Sequence, residues 1–119
     1  MCVGADMDFQ ETDEQAMIRQ MVRDFAEEVL APTAALRDKE QRPPLNEWES
    51  FCDLGLQSMT IPEEYGGNPI DDISEAMVVE ELARIDASFS VMFCVHVGLC
   101  AATISIHGNE FQLSLIHIS

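Results

Sequence analysis

Basic residues are scarce: the 119-residue sequence holds 6 Lys and Arg against 22 Asp and Glu, a formal charge of −16. Phosphate backbones need clustered cations, so this balance argues against a nucleic-acid binder. It argues equally against a helix lying on anionic lipid. A glycine-rich phosphate fingerprint is missing, and so is any Ser, His and Asp arrangement with motif spacing. No stretch alternates like a strand, and no repeat or low-complexity tract occurs. The opening Met1-Cys2-Val3-Gly4-Ala5-Asp6 lacks the basic and apolar regions of a signal peptide. The cysteines, Cys2, Cys52, Cys94 and Cys100, follow no compact disulfide spacing. Reduced thiols and a cytoplasmic, bacterial-type location are the expectation.

Charge is missing from one end as well. Five of the six basic residues precede residue 43, and from Ala87 to Ser119 the sole formal charge is Glu110. A polar, acidic first part leads into an apolar last part, as expected of a surface meant to be covered. With 47% apolar residues the chain has an ordinary globular composition and fits one domain.

What is present is helical periodicity. Thr12 with Gln15 reads as a capping box, and Ile18, Met21, Val22, Phe25 and Val29 form one stripe over a helix from Thr12 to Leu30. Pro32 is expected to end or kink it, with one or two further turns over Thr33 to Arg42. Pro44 fits the first turn of a third helix whose inner face is Leu45, Trp48, Phe51, Cys52 and Leu54, stopped at Gly55. Pro62 to Pro69 is a turn-rich loop. A fourth helix, about Asp71 to Ile85, points Ile73, Met77, Val78, Leu82 and Ile85 inward and leaves Asp72, Glu75, Glu80 and Arg84 to water. Asp86 is a plausible N-cap for a fifth, Ala87 to Ile106, apolar nearly all round, with Gly108 closing it. The fold class is therefore all-α, an up-and-down or orthogonal bundle of about five helices.

The fifth helix is long enough to span a bilayer. Its flanks, Asp86 and Glu110, are acidic, and Ser88, Ser90, His96, Thr103 and Ser105 are many polar groups for one span. A buried central helix is the expected reading, with no membrane span. Cys94, His96 and Cys100 resemble metal ligands on paper. Cys94 and His96 fall on opposite sides of a helix, so only two could share a face, and no metal is expected. Glu63-Glu64 and Gly66-Gly67 could suggest acid–base or phosphate chemistry, but neither signal is specific, and Gly-Gly after Tyr is more often a tight turn. No catalytic group stands out.

Several blocks together resemble a known family. Glu14-Gln15, Val22-Arg23-Asp24-Phe25-Ala26-Glu27-Glu28 and Ala31-Pro32 resemble the opening helix of acyl-CoA dehydrogenases. Leu54-Gly55-Leu56 with Ile61-Pro62-Glu63-Glu64-Tyr65-Gly66-Gly67 resembles that family's LGL and PEEYGG stretch. Val79-Glu80-Glu81-Leu82-Ala83-Arg84-Ile85-Asp86-Ala87-Ser88 resembles its helix break. His96-Val97-Gly98-Leu99 stands where the family has HNSL, and Gly108 to Gln112 is similar to its GTEEQ. The likeness covers roughly residues 8–112. Residues 113–119 match nothing in the pattern and read as a tail from a truncation or frameshift.

The resemblance implies the N-terminal helical domain of a flavoprotein that removes two hydrogens across the α–β bond of an acyl-CoA thioester, in fatty-acid or branched-chain acyl catabolism. It implies FAD as cofactor, an electron-transfer flavoprotein or similar acceptor as partner, and a homo-tetramer or homo-dimer. Most of the FAD site and the catalytic glutamate would lie in a middle β-domain and a C-terminal helical domain, so this chain alone is expected to be inactive. Alignment on Gly108 and on Glu81-Leu82-Ala83 places Val91, Val95 and Leu99, with Met92 beside them, on the acyl-pocket side of the fifth helix. The competing reading is a non-catalytic helical interaction or membrane-associated module.

Overall fold

The computed structural model describes residues 9–116. Among these residues all regular structure is helical. α1 (Asp13–Phe25) begins at the Thr12 capping box, where the Thr12 hydroxyl accepts the Gln15 amide and the Gln15 side chain accepts the Thr12 amide. The helix does not end at Pro32. A π turn (Ala26–Leu30) precedes α2 (Ala31–Glu40), and the Ala31 amide reaches back five residues to the Ala26 carbonyl. Proline lacks an amide and its ring crowds the carbonyl four residues back; the wider turn just ahead relieves both, so the rod runs on.

The rod stops at Gln41, which adopts a left-handed conformation (φ 52°), and the Arg42 amide closes onto the Arg37 carbonyl at 3.0 Å. Pro44 then caps α3 (Leu45–Cys52) from just outside, one position earlier than its first turn. Gly55, at φ 76°, turns the chain into a strap of two 3₁₀ turns, Leu56–Ser58 and Glu63–Tyr65. Leu56, Met59 and Ile61 of the strap are buried. Gly67 must be glycine, because a Cβ there would lie 1.9 Å from the Ile61 carbonyl oxygen.

α4 (Asp72–Ile85) is capped by Asp71, whose carboxylate accepts the Ser74 amide and hydroxyl and is held below the usual carboxylate range by them. Its inner row is Ser74, Met77, Val78, Glu81 and Leu82. Ile73, expected inward, is 65% exposed, because the row that fits helical spacing from Met77 and Val78 starts at Ser74. Asp86 breaks the helix and caps α5 (Ala87–Cys94) through the Phe89 amide. A second π turn (Val95–Ala101) joins α5 to α6 (Ala102–His107), and α7 (Glu110–Leu113) starts on an Asn109–Gln112 capping box. Counting each continuous rod once, the described residues form five helices.

α1 packs on α4, and α4 on α5. Between them lies an aromatic centre: Phe51 meets Phe25, Phe89 and Phe93 at 5.3–5.5 Å between ring centroids. Each such ring removes about 150–250 Å² from water, which makes this cluster the main driving force. The radius of gyration is 16.2 Å, against about 13–14 Å for a compact domain of this length. The chain is spread out, with faces left uncovered.

Two buried carboxylates tie the helices. Glu81 of α4 is 2% exposed and accepts from Arg23 (2.7 Å), Arg19 (2.9 Å) and Arg84 (3.3 Å). Arg23 above all, then Arg19 and Arg84, outweigh the cost of burial and draw its carboxyl down to about 2. Arg37 of α2 is equally enclosed, bonded to Glu47 of α3 at 2.8 Å and to Asp86. Burial works to raise the Glu47 carboxyl, and its own backbone amide, the Thr33 hydroxyl and Arg37 together hold it below the ordinary range.

Candidate functional site

The rod from Ala87 to His107 is apolar nearly all round, and the domain covers only one side of it, leaving the other as the uncovered surface the sequence pattern suggests. One side is sealed: Phe89, Ser90, Phe93, Val97 and Ala101 are buried. The other is open: Val91 is 62%, Val95 42% and Leu99 68% exposed. Twenty-one residues here are long and apolar enough to cross a membrane by length and composition. The buried Phe89–Phe93–Val97 row belongs to one core cluster with Phe51 and Val78.

The π turn keeps the two rows straight. In an α-helix, residues four apart drift around the axis by about 40° per step, since 3.6 residues complete a turn. The wider turn at Val95–Ala101 takes back that drift. Phe93, Val97 and Ala101 thus stay inside, while Val91, Val95 and Leu99 stay outside in one line. The Ala102 amide marks the turn by reaching the Val97 carbonyl five residues back, and that carbonyl also accepts the Thr60 hydroxyl of the strap at 3.3 Å.

The structure brings Val91, Val95 and Leu99 together on one uncovered face, and leaves Met92 half-buried at its edge against the core. None of the four lies in a closed cavity. A groove of about 450 Å³ sits at the far end of the rod between α6 and α7, lined by Thr103, Ile104, His107, Gln112, Leu115 and Ile116.

The other candidate chemistry does not assemble. Cys94 and Cys100 are exposed; His96 lies half-buried, edge-on to Trp48 at 5.0 Å, where burial lowers its basicity. Among the described residues no three His, Cys, Asp or Glu are grouped to hold a metal. Burial raises the Cys52 thiol, with Asp53 and Glu49 adding to it. Glu63 and Glu64 are exposed on a 3₁₀ turn closed by Gly66 at φ 81°. Tyr65 donates its hydroxyl to the Glu110 carboxylate at 3.2 Å, pinning that turn to α7.

Sequence reasoning missed the Glu81 lock, the Arg37 pair and Thr60. Arg19 and Arg23, four apart on one face of α1, were the available signal for a buried acidic partner. Thr60 left no signal, because its partner is a main-chain carbonyl.

The described residues thus form an all-α domain with a sealed aromatic core and one long helix left apolar on its outer side. The sequence matches "Acyl-CoA dehydrogenase, N-terminal domain" over residues 12–114. It is 39% identical over 106 residues to the short-chain specific acyl-CoA dehydrogenase of Clostridium acetobutylicum, covering 89% of this chain and 28% of that protein. With the mitochondrial short-chain specific acyl-CoA dehydrogenase of Bos taurus the identity is 38% over 96 residues, 81% of this chain and 23% of that one. The fold overlays, at a TM-score of 0.85 and 37% identity, on a chain from the structure "Electron transferring flavoprotein of Acidaminococcus fermentans: Towards a mechanism of flavin-based electron bifurcation", covering 91% of this chain and 28% of that chain. The chain belongs to the acyl-CoA dehydrogenase family, as its N-terminal helical domain. It spans about a quarter of the length of the curated relatives it matches.

Proposed function

We propose that this domain forms one wall of the acyl-chain pocket of an enzyme that desaturates acyl-CoA thioesters between the α and β carbons. The observation that carries the reading is the straight, uncovered row Val91, Val95 and Leu99, with Met92 at its edge, on a helix free of formal charge. A fatty acyl tail asks for such a surface: each buried methylene is worth about 0.8 kcal/mol, close to fourfold in binding.

The flavin belongs outside this domain. Its phosphates need several cationic or amide donors together, and each of the five arginines here is already paired with a carboxylate, Arg42 with Glu40 included, which leaves Lys39 alone. The helix row contains no acid or base, so the proton-removing group also belongs to the remaining protein. In this reading the domain binds and aligns the tail, and excludes water from it. The names of the relatives support acyl-CoA as substrate. The solved neighbour supports an electron-transfer flavoprotein or similar acceptor, and FAD as the group that accepts hydride. Assembly as a homo-dimer or homo-tetramer in the cytoplasm completes the proposal.

The test is Val95→Phe in the full-length protein that carries this domain. A ring at the wall shortens the pocket, so kcat/KM should fall about fourfold for each methylene no longer accommodated, with the shortest substrates unaffected. A uniform loss across chain lengths, matched by lost stability, would show that Val95 only packs the domain.

A further inference from the structure

We infer that Thr60 is a positioning residue for this apolar wall: its hydroxyl holds the π turn that aims Val95 and Leu99 outward in one row, an inference that rests on the pocket reading above. The strap carrying Thr60 is fixed by its own hydrogen bonds and by packing on the core. Within it the Ile61 and Asn68 amides both donate to the Ser58 carbonyl (3.0 and 3.1 Å), and the Ile70 amide donates to the Met59 carbonyl (3.1 Å). Met59 and Ile61 on either side of Thr60 are buried, and Gly67 lets the loop close onto Ile61. The hydroxyl is thus delivered by a rigid segment to one place, the Val97 carbonyl, 37 residues away in sequence.

That carbonyl is where the helix ladder widens. It takes the Ala102 amide, five residues on, in place of the usual four. A carbonyl tilted toward a second donor outside the helix lengthens its inner bonds, and a longer reach favours the wider turn. The Thr60 bond therefore biases Val95–Ala101 toward π geometry. Without it the segment relaxes toward ordinary α pitch, and the outward row rotates: Leu99 moves around the axis relative to Val91, by up to the 40° drift of one step. The wall loses its flatness and Ala101 turns from the core with it, while Phe93, ahead of the turn, stays on Phe51.

Two measurements test this. In the 119-residue chain, Thr60→Val should speed amide hydrogen exchange across residues 98–102 about three- to tenfold, the range of one ordinary hydrogen bond. Thr60→Ser should restore it, and amides of α1 and α4 should not change. Unchanged exchange in Thr60→Val, or equal acceleration throughout the chain, overturns the inference. In the full-length protein, Thr60→Val should raise KM for the longer acyl chains by three- to tenfold and leave kcat on the shortest substrate alone, with Thr60→Ser again normal. If Val95→Phe shifts the chain-length profile and Thr60→Val does not, Thr60 has no positioning role and the pocket reading stands. If Val95→Phe leaves the profile flat, the pocket reading falls and this inference falls with it.

Discussion

Replacing Glu81 with glutamine removes one charge from the centre of α1–α4 packing and changes almost no volume. In the unfolded chain this carboxyl titrates near 4.5, and in the folded chain at about 2, so folding favours its ionised form. The gap between those values is worth about 3 kcal/mol. Arg23 and Arg84 are close to half-exposed, and water screens part of their attraction, which leaves about 2 kcal/mol. For a chain of this size that corresponds to a fall in Tm of about 8 °C at neutral pH. The sign of the pH effect follows from the depressed value. The stabilisation is complete above about pH 5 and drains away as pH falls toward 2, because the wild-type carboxylate then takes up the proton that glutamine mimics. Thermal melts of both proteins, followed by helical circular dichroism, should therefore show a gap at pH 7 that narrows by more than half at about pH 3. A gap of equal size at both pH values would mean that Glu81 matters for shape and hydrogen bonding rather than charge. No gap at pH 7 would remove the lock altogether.

Two glycines should respond in opposite directions. Gly67→Ala drives a Cβ into the Ile61 carbonyl and should lower Tm by at least 8 °C, whereas Gly98→Ala meets nothing within 4 Å and should raise it by 2–4 °C through better helix propensity. The isolated chain should self-associate through the Val91–Leu99 face in spite of its charge of −16, more strongly as salt screens that charge, and Leu99→Glu should reverse this. Sedimentation velocity over a salt series decides it; a dye-negative monomer at high concentration and high salt would show that the face needs no cover.

Element starts and stops were legible because they rest on local chemistry. Thr12 with Gln15, Asp86 and Gly55 each do in the structure what their side chains, or lack of one, demand. Orientation was harder. In α4 hydropathy favours Ile73, yet the inner row begins at Ser74 and includes Glu81, since hydrogen bonds and three arginines satisfy those polar groups inside. On the Ala87–His107 rod every side is apolar, so composition cannot say which face is sealed; only the Phe51 cluster decides it. The rod through Pro32 was illegible for a related reason. The rule that proline ends helices assumes α pitch, and one π turn removes the assumption.

Each of the long rods carries one residue more than an α-helix of the same hydrogen-bond count would use. That surplus is a reserve of slack. A single-residue deletion inside Val95–Ala101 could be absorbed by reverting to plain α pitch, without breaking the helix or its caps at Asp86 and Gly108. Everything after the deletion, α7 included, would keep its place around the rod, because the roughly 100° lost with the residue is returned by the tighter α pitch. Related chains can therefore lose one residue in this turn, or carry it as here, without re-aiming the far end of the helix.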